Sequence, residues 1–231
     1  MKILGLIGGM SWESTATYYS LLNRMTRERL GGSHSAPLIL WSVDFEPITR
    51  MQAEGRWDEA AAILVEAARR LEQAGAEALL ICANTMHLMA DEVQAAVRIP
   101  LIHIADATAA AVNAAGVRRP VLLATRYTME EPFYLDRLKS LGVEAQIPGE
   151  VDRLRLQRMI FDELVRGIVN PQSKAALLQI VGAERAKGAD GVILGCTELG
   201  MLVGEGDIRL PSFNSTEIHA RAGFDFALGG S

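Results

Sequence analysis

The chain alternates short, unbroken apolar runs with longer stretches of helical periodicity. Lys2–Ile7 is an apolar run that stops at Gly8-Gly9, the pattern of a buried parallel strand and its turn. Ser11 can cap a following helix that runs to about Leu30, where Gly31-Gly32 ends it. Pro37–Val43 reads as a second strand ending at Asp44. A helix is expected over Asp58–Gln73, stopped by Gly75, and a third strand over Ala78–Ile81, ending on Cys82. The pattern then predicts a helix from about His87 to Val97 and a fourth strand over Pro100–Ile104, with Asp106 capping the next helix. Val121–Ala124 and Val192–Leu194 are further strands, while Ile160–Arg166 and Lys174–Lys187 are helical. Strands alternating with helices along the whole length predict an α/β fold with parallel sheets.

The pattern also repeats. Gly75-Ala76-Glu77-Ala78-Leu79-Leu80-Ile81-Cys82-Ala83-Asn84-Thr85 is answered by Gly188-Ala189-Asp190-Gly191-Val192-Ile193-Leu194-Gly195-Cys196-Thr197-Glu198. Each copy follows a helix and precedes an apolar stretch with a proline, Ile99-Pro100-Leu101 and Leu210-Pro211-Ser212. The openings, Leu4–Gly8 and Val121–Thr125, correspond more loosely. Two pseudo-symmetric α/β lobes are therefore expected, with the active-site cleft between them. The first covers residues 1–98 and carries Cys82, joined by the C-terminal segment 210–231; the second covers 99–209 and carries Cys196.

Charge and composition narrow the function. A formal charge of −5 gives no long-range attraction to nucleic acid or anionic lipid. No run approaches the roughly 18 apolar residues of a membrane span, and the N-terminus reads as a strand rather than a signal peptide. A cytoplasmic location is expected on those grounds. The two cysteines lie far apart without a Cys-x-x-Cys, so neither zinc nor redox chemistry is indicated, and a reducing compartment disfavours a disulfide. His34, His87, His103 and His219 lack metal-ligand spacing. Gly5-Leu6-Ile7-Gly8-Gly9 lacks the spacing of a dinucleotide fingerprint, and Lys2, Lys139, Lys174 and Lys187 have no pyridoxal phosphate context. No cofactor and no metal are expected.

Two free thiols remain, each following a parallel strand, where ligands bind. If the lobes face each other, one thiolate can take a proton from one face of an α-carbon while the opposite thiol delivers one to the other face. A free thiol has a pKa of about 8.5, and the helix starts after Asn84-Thr85 and Thr197-Glu198 are expected to favour the thiolate. Their N–H groups, with Asn84, Thr85, Thr197 and the turn Gly8-Gly9-Met10-Ser11, can hold a substrate carboxylate and the charge that develops on it. Set against this, a lone buried cysteine is commonly just a small hydrophobe; two at corresponding places of a repeat favour chemistry. His87, five residues past Cys82, either tunes that thiol or is a structural histidine satisfied in the fold.

At these residues the chain resembles the aspartate/glutamate racemase family over its full length. The resemblance rests on Leu6-Ile7-Gly8-Gly9-Met10-Ser11, Cys82-Ala83-Asn84-Thr85-Met86-His87, Ala124-Thr125-Arg126-Tyr127-Thr128-Met129 and Gly195-Cys196-Thr197-Glu198. It implies a cofactor-independent racemase of two α/β lobes, with Cys82 and Cys196 as acid and base, acting as a homodimer. Thr125 and Tyr127 become candidate substrate contacts on the same basis. Ser11-Trp12-Glu13-Ser14 and Ser42-Val43-Asp44-Phe45 look like the broad-specificity branch. Strict aspartate racemases place an arginine in the loop after the second strand, where Gln52 or Arg50 stands here. Arg166-Gly167 matches the family's basic residue before a glycine, which makes Arg166 a candidate cationic contact; the alternative is a solvated helix-end arginine. Aspartate, glutamate or a similar small polar amino acid is the expected substrate. Other readings are a different enzyme of the superfamily, such as a maleate isomerase, hydantoin racemase or arylmalonate decarboxylase, or a two-lobed binding protein without turnover. The decarboxylase fits least, because both cysteines are present.

Overall fold

The computed structural model describes residues 1–204 and 206–229 of the chain. The chain divides into two compact units, Met1–His103 with His219–Ser231, and Ile104–Ile218.

The first unit is built on a parallel three-stranded sheet of β1 (Leu4–Gly8), β2 (Leu38–Ser42) and β3 (Ala78–Ile81), in the order β2-β1-β3. Alternation along these strands sends side chains to two separate clusters. Leu4, Leu6, Ala78, Leu80 and Cys82 meet Tyr18 and Leu22 of α1 (Trp12–Leu30) and Ala220 and Phe224 of α11 (Ser215–Leu228). Ile7, Leu79 and Ile81 pack on the opposite face with Leu64 and Leu71 of α3 (Trp57–Gln73). Gly5 lets α3 close onto the sheet, since a Cβ there would lie 3.2 Å from Leu71 Cβ of α3 and 2.9 Å from the side chains of Ala76 and Leu79 beyond it.

The second unit repeats the plan with β4 (Pro120–Leu123), β5 (Gly191–Leu194) and β6 (Ser212–Asn214) in the order β4-β5-β6. Its single core gathers Val112 of α5 (Ile104–Ala114), Tyr134 and Leu138 of α7 (Pro132–Ser140), and Leu177 and Ile180 of α9 (Pro171–Ala186) around the sheet. The prolines of the repeat occupy matching places. Leu79 N–H donates to Pro100 O and Val192 N–H to Pro211 O, each at 2.9 Å.

Several expectations change. The stretch after β2 is a helix, α2 (Phe45–Ala53), because Asp44 caps it by accepting from Glu46 N–H and Pro47 falls in the first turn, where a missing N–H costs nothing. The fourth strand reduces to one bridge, Leu79 to Leu101, and α5 begins at Ile104. Asp106 is consequently inside α5 rather than capping it, and its carboxylate is gripped by both nitrogens of the Arg137 fork at 2.5 and 2.8 Å. The helix expected from His87 to Val97 is a 3-10 turn, Thr85–Met89, followed by α4 (Ala90–Ala95). The unit boundaries shift from 98/99 to 103/104 and from 209/210 to 218/219. The bridge at Leu101 ties Pro100–Ile102 to β3, and β6 pairs with β5 in the second sheet, so residues 210–218 belong with the second unit; the last two residues of the expected C-terminal segment lie outside the described residues.

The turn after β1 depends on Gly9. Its φ is +94°, and a Cβ there would lie 2.6 Å from the Val43 backbone nitrogen and closer still to the Val43 carbonyl. Gly9→Ala should therefore cost about 2–4 kcal/mol, combining backbone strain with a clash that a side-chain rotation does not relieve. Gly116→Ala, at φ +71° with open space around it, should cost about 1 kcal/mol. Urea midpoints of the two variants check the contrast.

Candidate active site

In each unit the chemistry collects at the carboxyl end of the sheet. In the first, β1 runs out into Gly9, Met10 and Ser11, and Ser11 caps α1 by accepting from Ser14 N–H at 3.3 Å. The neighbouring β3 runs out into Cys82, whose N–H donates to Ile7 O at 2.9 Å. The parallel pairing of β1 with β3 thus places the Met10-Ser11 turn beside the Cys82-Ala83-Asn84-Thr85 turn. All of Met10, Ser11, Cys82, Asn84 and Thr85 are buried. Gln52, on α2, is buried too and donates its amide to Met86 Sδ at 3.1 Å, next to the same turn. Arg50 takes the other direction, 63% exposed and 3.7 Å from Glu46. Of the two residues expected to replace the family's arginine, Gln52 is the one facing inward.

In the second unit β4 runs out into Thr125, which caps α6 (Arg126–Glu130) by accepting from Thr128 N–H. The adjacent β5 runs out into Gly195, Cys196 and Thr197, with Gly195 N–H donating to Leu123 O at 2.7 Å. Thr197 Oγ1 accepts from Thr216 Oγ1 at 3.2 Å, and Ser215 Oγ donates to Leu194 O at 2.9 Å, so the start of α11 braces the cysteine turn. Tyr127 is half-buried on α6. Arg166 ends a 3-10 turn, Leu164–Arg166, before Gly167 in the left-handed conformation, and its side chain is exposed. No contact brings it to Cys196 among the described residues.

The two thiols differ by one residue of register. The N–H that closes the ladder belongs to Cys82 in the first unit but to Gly195 in the second, so Cys196 sits one place further along its turn. Cys82 has no exposed surface and packs among Tyr18, Leu80 and Ala220; burial alone drives its pKa far up. Cys196 is 8% exposed and donates its thiol proton to Glu198 Oε2 at 2.9 Å. Its pKa is raised first by burial, then by the charge and the hydrogen bond of Glu198, against smaller lowering effects from the Glu198 and Leu199 N–H groups. The N–H groups after Cys196 thus favour its thiolate as expected, but burial and Glu198 outweigh them, and at Cys82 burial acts unopposed. Cys82 is followed by a five-residue 3-10 turn and Cys196 by the four-residue α10 (Leu199–Leu202), too short to offset desolvation.

Two groups escaped the sequence reading. Glu198, itself buried, was visible only as the last letter of Gly-Cys-Thr-Glu; the signal that could have found it is a carboxylate two residues past a cysteine in a tight turn. The second is an imidazole cluster behind the Cys82 turn. His219 Nε2 lies 2.7 Å from Ile102 O and its Nδ1 2.7 Å from Tyr18 Oη, while His87 Nδ1 lies 2.9 Å from Ala83 O. His87 packs edge-on against His103 and His219, with ring centroids 4.8 and 5.4 Å apart. His87 is thus the satisfied histidine, yet its partner is the residue next to Cys82. Among the described residues no group of three or more His, Cys, Asp and Glu side chains is arranged to hold a metal, and no helix is long and apolar enough to cross a membrane.

Comparison with known proteins agrees with this layout. The sequence profile described as Asp/Glu/hydantoin racemase matches residues 7–223. A broad-specificity amino-acid racemase, RacX of Bacillus subtilis, is 23% identical over 226 residues, covering 95% of this chain and 96% of its own length. Among solved structures, an Asp/Glu racemase candidate from Yersinia pestis is 48% identical with a TM-score of 0.92, covering 99% of this chain and 100% of the other. An aspartate racemase homologue from Pyrococcus horikoshii is 38% identical with a TM-score of 0.87, at the same coverage. With two parallel sheets, each ending in a cysteine turn, and a profile match over nearly its whole length, the chain belongs to the Asp/Glu/hydantoin racemase family.

Proposed function

We propose that this protein racemises a small polar amino acid, with Cys82 and Cys196 as the acid/base pair at one α-carbon and Glu198 as the group that shares the Cys196 proton. The observation that carries the reading is the Cys196 thiol donating to a buried carboxylate at 2.9 Å. A thiol raised by burial is a poor base at neutral pH unless a neighbour takes its proton, and Glu198 is placed to do so. The proton moves from Cys196 Sγ to Glu198, and the thiolate removes the α-proton of the substrate. Cys82, kept protonated by its apolar surroundings, delivers its proton to the opposite face. This leaves a Cys82 thiolate and a Cys196 thiol; Cys82 is then reprotonated through solvent as Glu198 releases its proton. The reverse reaction exchanges the roles.

Backbone N–H groups of the Met10-Ser11, Asn84-Thr85 and Thr125 turns and the Thr197 hydroxyl supply donors for the substrate carboxylate and for the enolate-like charge that develops on it. Thr125, Tyr127 and Arg166 are proposed contacts from the second unit. Gln52 presents an amide where a strict aspartate racemase presents a cation, which favours small polar side chains generally over a carboxylate alone.

Proton NMR in deuterium oxide with aspartate, glutamate and homoserine, followed by chiral chromatography, tests the activity. Loss of the α-proton signal with formation of the other enantiomer is expected. An intact, folded protein that exchanges none of a wider amino-acid panel would move the reading to a non-amino-acid isomerase of the family. Cys82→Ala and Cys196→Ala should each abolish racemisation.

Glu198→Gln should lower kcat at neutral pH by about 10²–10³-fold, the usual scale for a lost general base. The amide keeps the hydrogen bond but takes no proton. Removing the negative charge takes away part of what raises the Cys196 pKa, so hydroxide ionises the thiol more readily and the deficit should shrink toward high pH. A pH–rate profile of both proteins checks the sign.

A homodimer is proposed as well. Trp12 and Tyr19 lie seven residues apart on one face of α1, 68% and 56% exposed, and the open edge of β2 leaves Leu40 and Trp41 exposed. Sedimentation equilibrium should return twice the chain mass for the native protein and a lower mass for the doubly substituted Trp12→Ser/Tyr19→Ser protein.

A further inference from the structure

We propose that His87, His103, His219 and Tyr18 form a positioning network for Cys82, holding the turn that carries the thiol only while the imidazoles are neutral. The inference rests on the racemase reading for its kinetic consequence, but its structural part concerns Cys82 alone. A carbonyl only accepts, so His219 donates from Nε2 to Ile102 O, and Nδ1 is left to accept the Tyr18 hydroxyl proton. Ile102 N–H in turn donates to Leu79 O of β3, the strand that ends on Cys82. His87, by the same logic, donates from Nδ1 to Ala83 O, the carbonyl directly after Cys82, while its own N–H donates to Asn84 O. The turn is thus tied through His87, and the rings of His103 and His219 pack against that of His87. Tyr18 and Ala220, the neighbour of His219, pack in the cluster that encloses Cys82.

Three adjacent buried rings tolerate little positive charge. The titratable groups facing His219 are Tyr18 from α1, His87 from the 3-10 turn and His103 from the stretch before α5. On α11 itself, Glu217 accepts from Asn214 and the Arg221 guanidinium lies over the Phe224 ring. Burial first, then the charge His87 would carry, holds His219 well below the ordinary histidine range. A histidine depressed in this way stays neutral where an exposed one begins to charge. Lowering the pH below about 6.5 therefore favours forms in which the cluster has opened.

The test is native alkylation of the two cysteines by iodoacetamide, read peptide by peptide by mass spectrometry, alongside kcat and KM. Tyr18→Phe removes one hydroxyl and keeps the ring; His219→Gln keeps a donor for Ile102 O and removes the titrating group. In both variants Cys82 labelling relative to Cys196 should rise about fivefold or more through local opening. At the same time kcat should fall about tenfold, with KM within about twofold, as for a misplaced reacting group. Wild type should show the same relative rise in Cys82 labelling below about pH 6, and His219→Gln should blunt it. Labelling of both cysteines rising together, or Cys82 labelling and kcat both unchanged, would overturn the proposal. Labelling as expected in a protein without racemase activity would leave the network standing and remove the racemase reading instead.

Discussion

The last rung of each parallel ladder decides where the chemistry goes. Cys82 N–H on Ile7 O and Gly195 N–H on Leu123 O end the two pairings, and everything beyond them is turn. Because the strands are parallel, those turns open at the same end of the sheet as the caps at Ser11 and Thr125. Each half therefore carries a cysteine turn and a capped helix start together, without any element having to be placed separately. The tight turn at Gly9 belongs to the same constraint, since Val43 N–H donates to Gly8 O and closes against it.

The single-residue offset between the cysteines gives the two thiols different surroundings. Cys82, at the rung, is drawn into the apolar cluster of α1 and α11 and is held as a thiol. Cys196, one position later, reaches Glu198. Burial raises both thiols, and Cys196 adds a buried carboxylate, Glu198, as its hydrogen-bond acceptor; the proposed division into base and acid rests on that difference. The two halves resemble each other in backbone and differ in what surrounds the thiol.

Much of this was legible in the sequence because it is local. The runs at Leu4–Gly8, Ala78–Ile81 and Gly191–Leu194 are buried on both faces and so are apolar throughout, and the Ser11 cap follows from residue type and position. The α2 helix was hidden by Pro47, which breaks a helix interior but not a first turn. The strand expected at Pro100–Ile104 has the composition of a strand but forms only one bridge before the chain turns into α5. The protonation of the thiols was misjudged for a tertiary reason, since desolvation is set by packing partners such as Tyr18 and Ala220 that adjoin Cys82 only in the fold. The imidazole cluster lay beyond local patterns for the same cause: His219 meets partners 201 and 117 residues away.

The account turns on two different groups handling the two faces of one carbon. Its most direct test is where solvent deuterium goes during the first few per cent of reaction from a single enantiomer in deuterium oxide. Transfer between Cys196 and Cys82 predicts product carrying deuterium at the α-carbon while recovered substrate keeps its proton. Deuterium entering recovered substrate as fast as product would mean that one group serves both faces, and would contradict the two-thiol account.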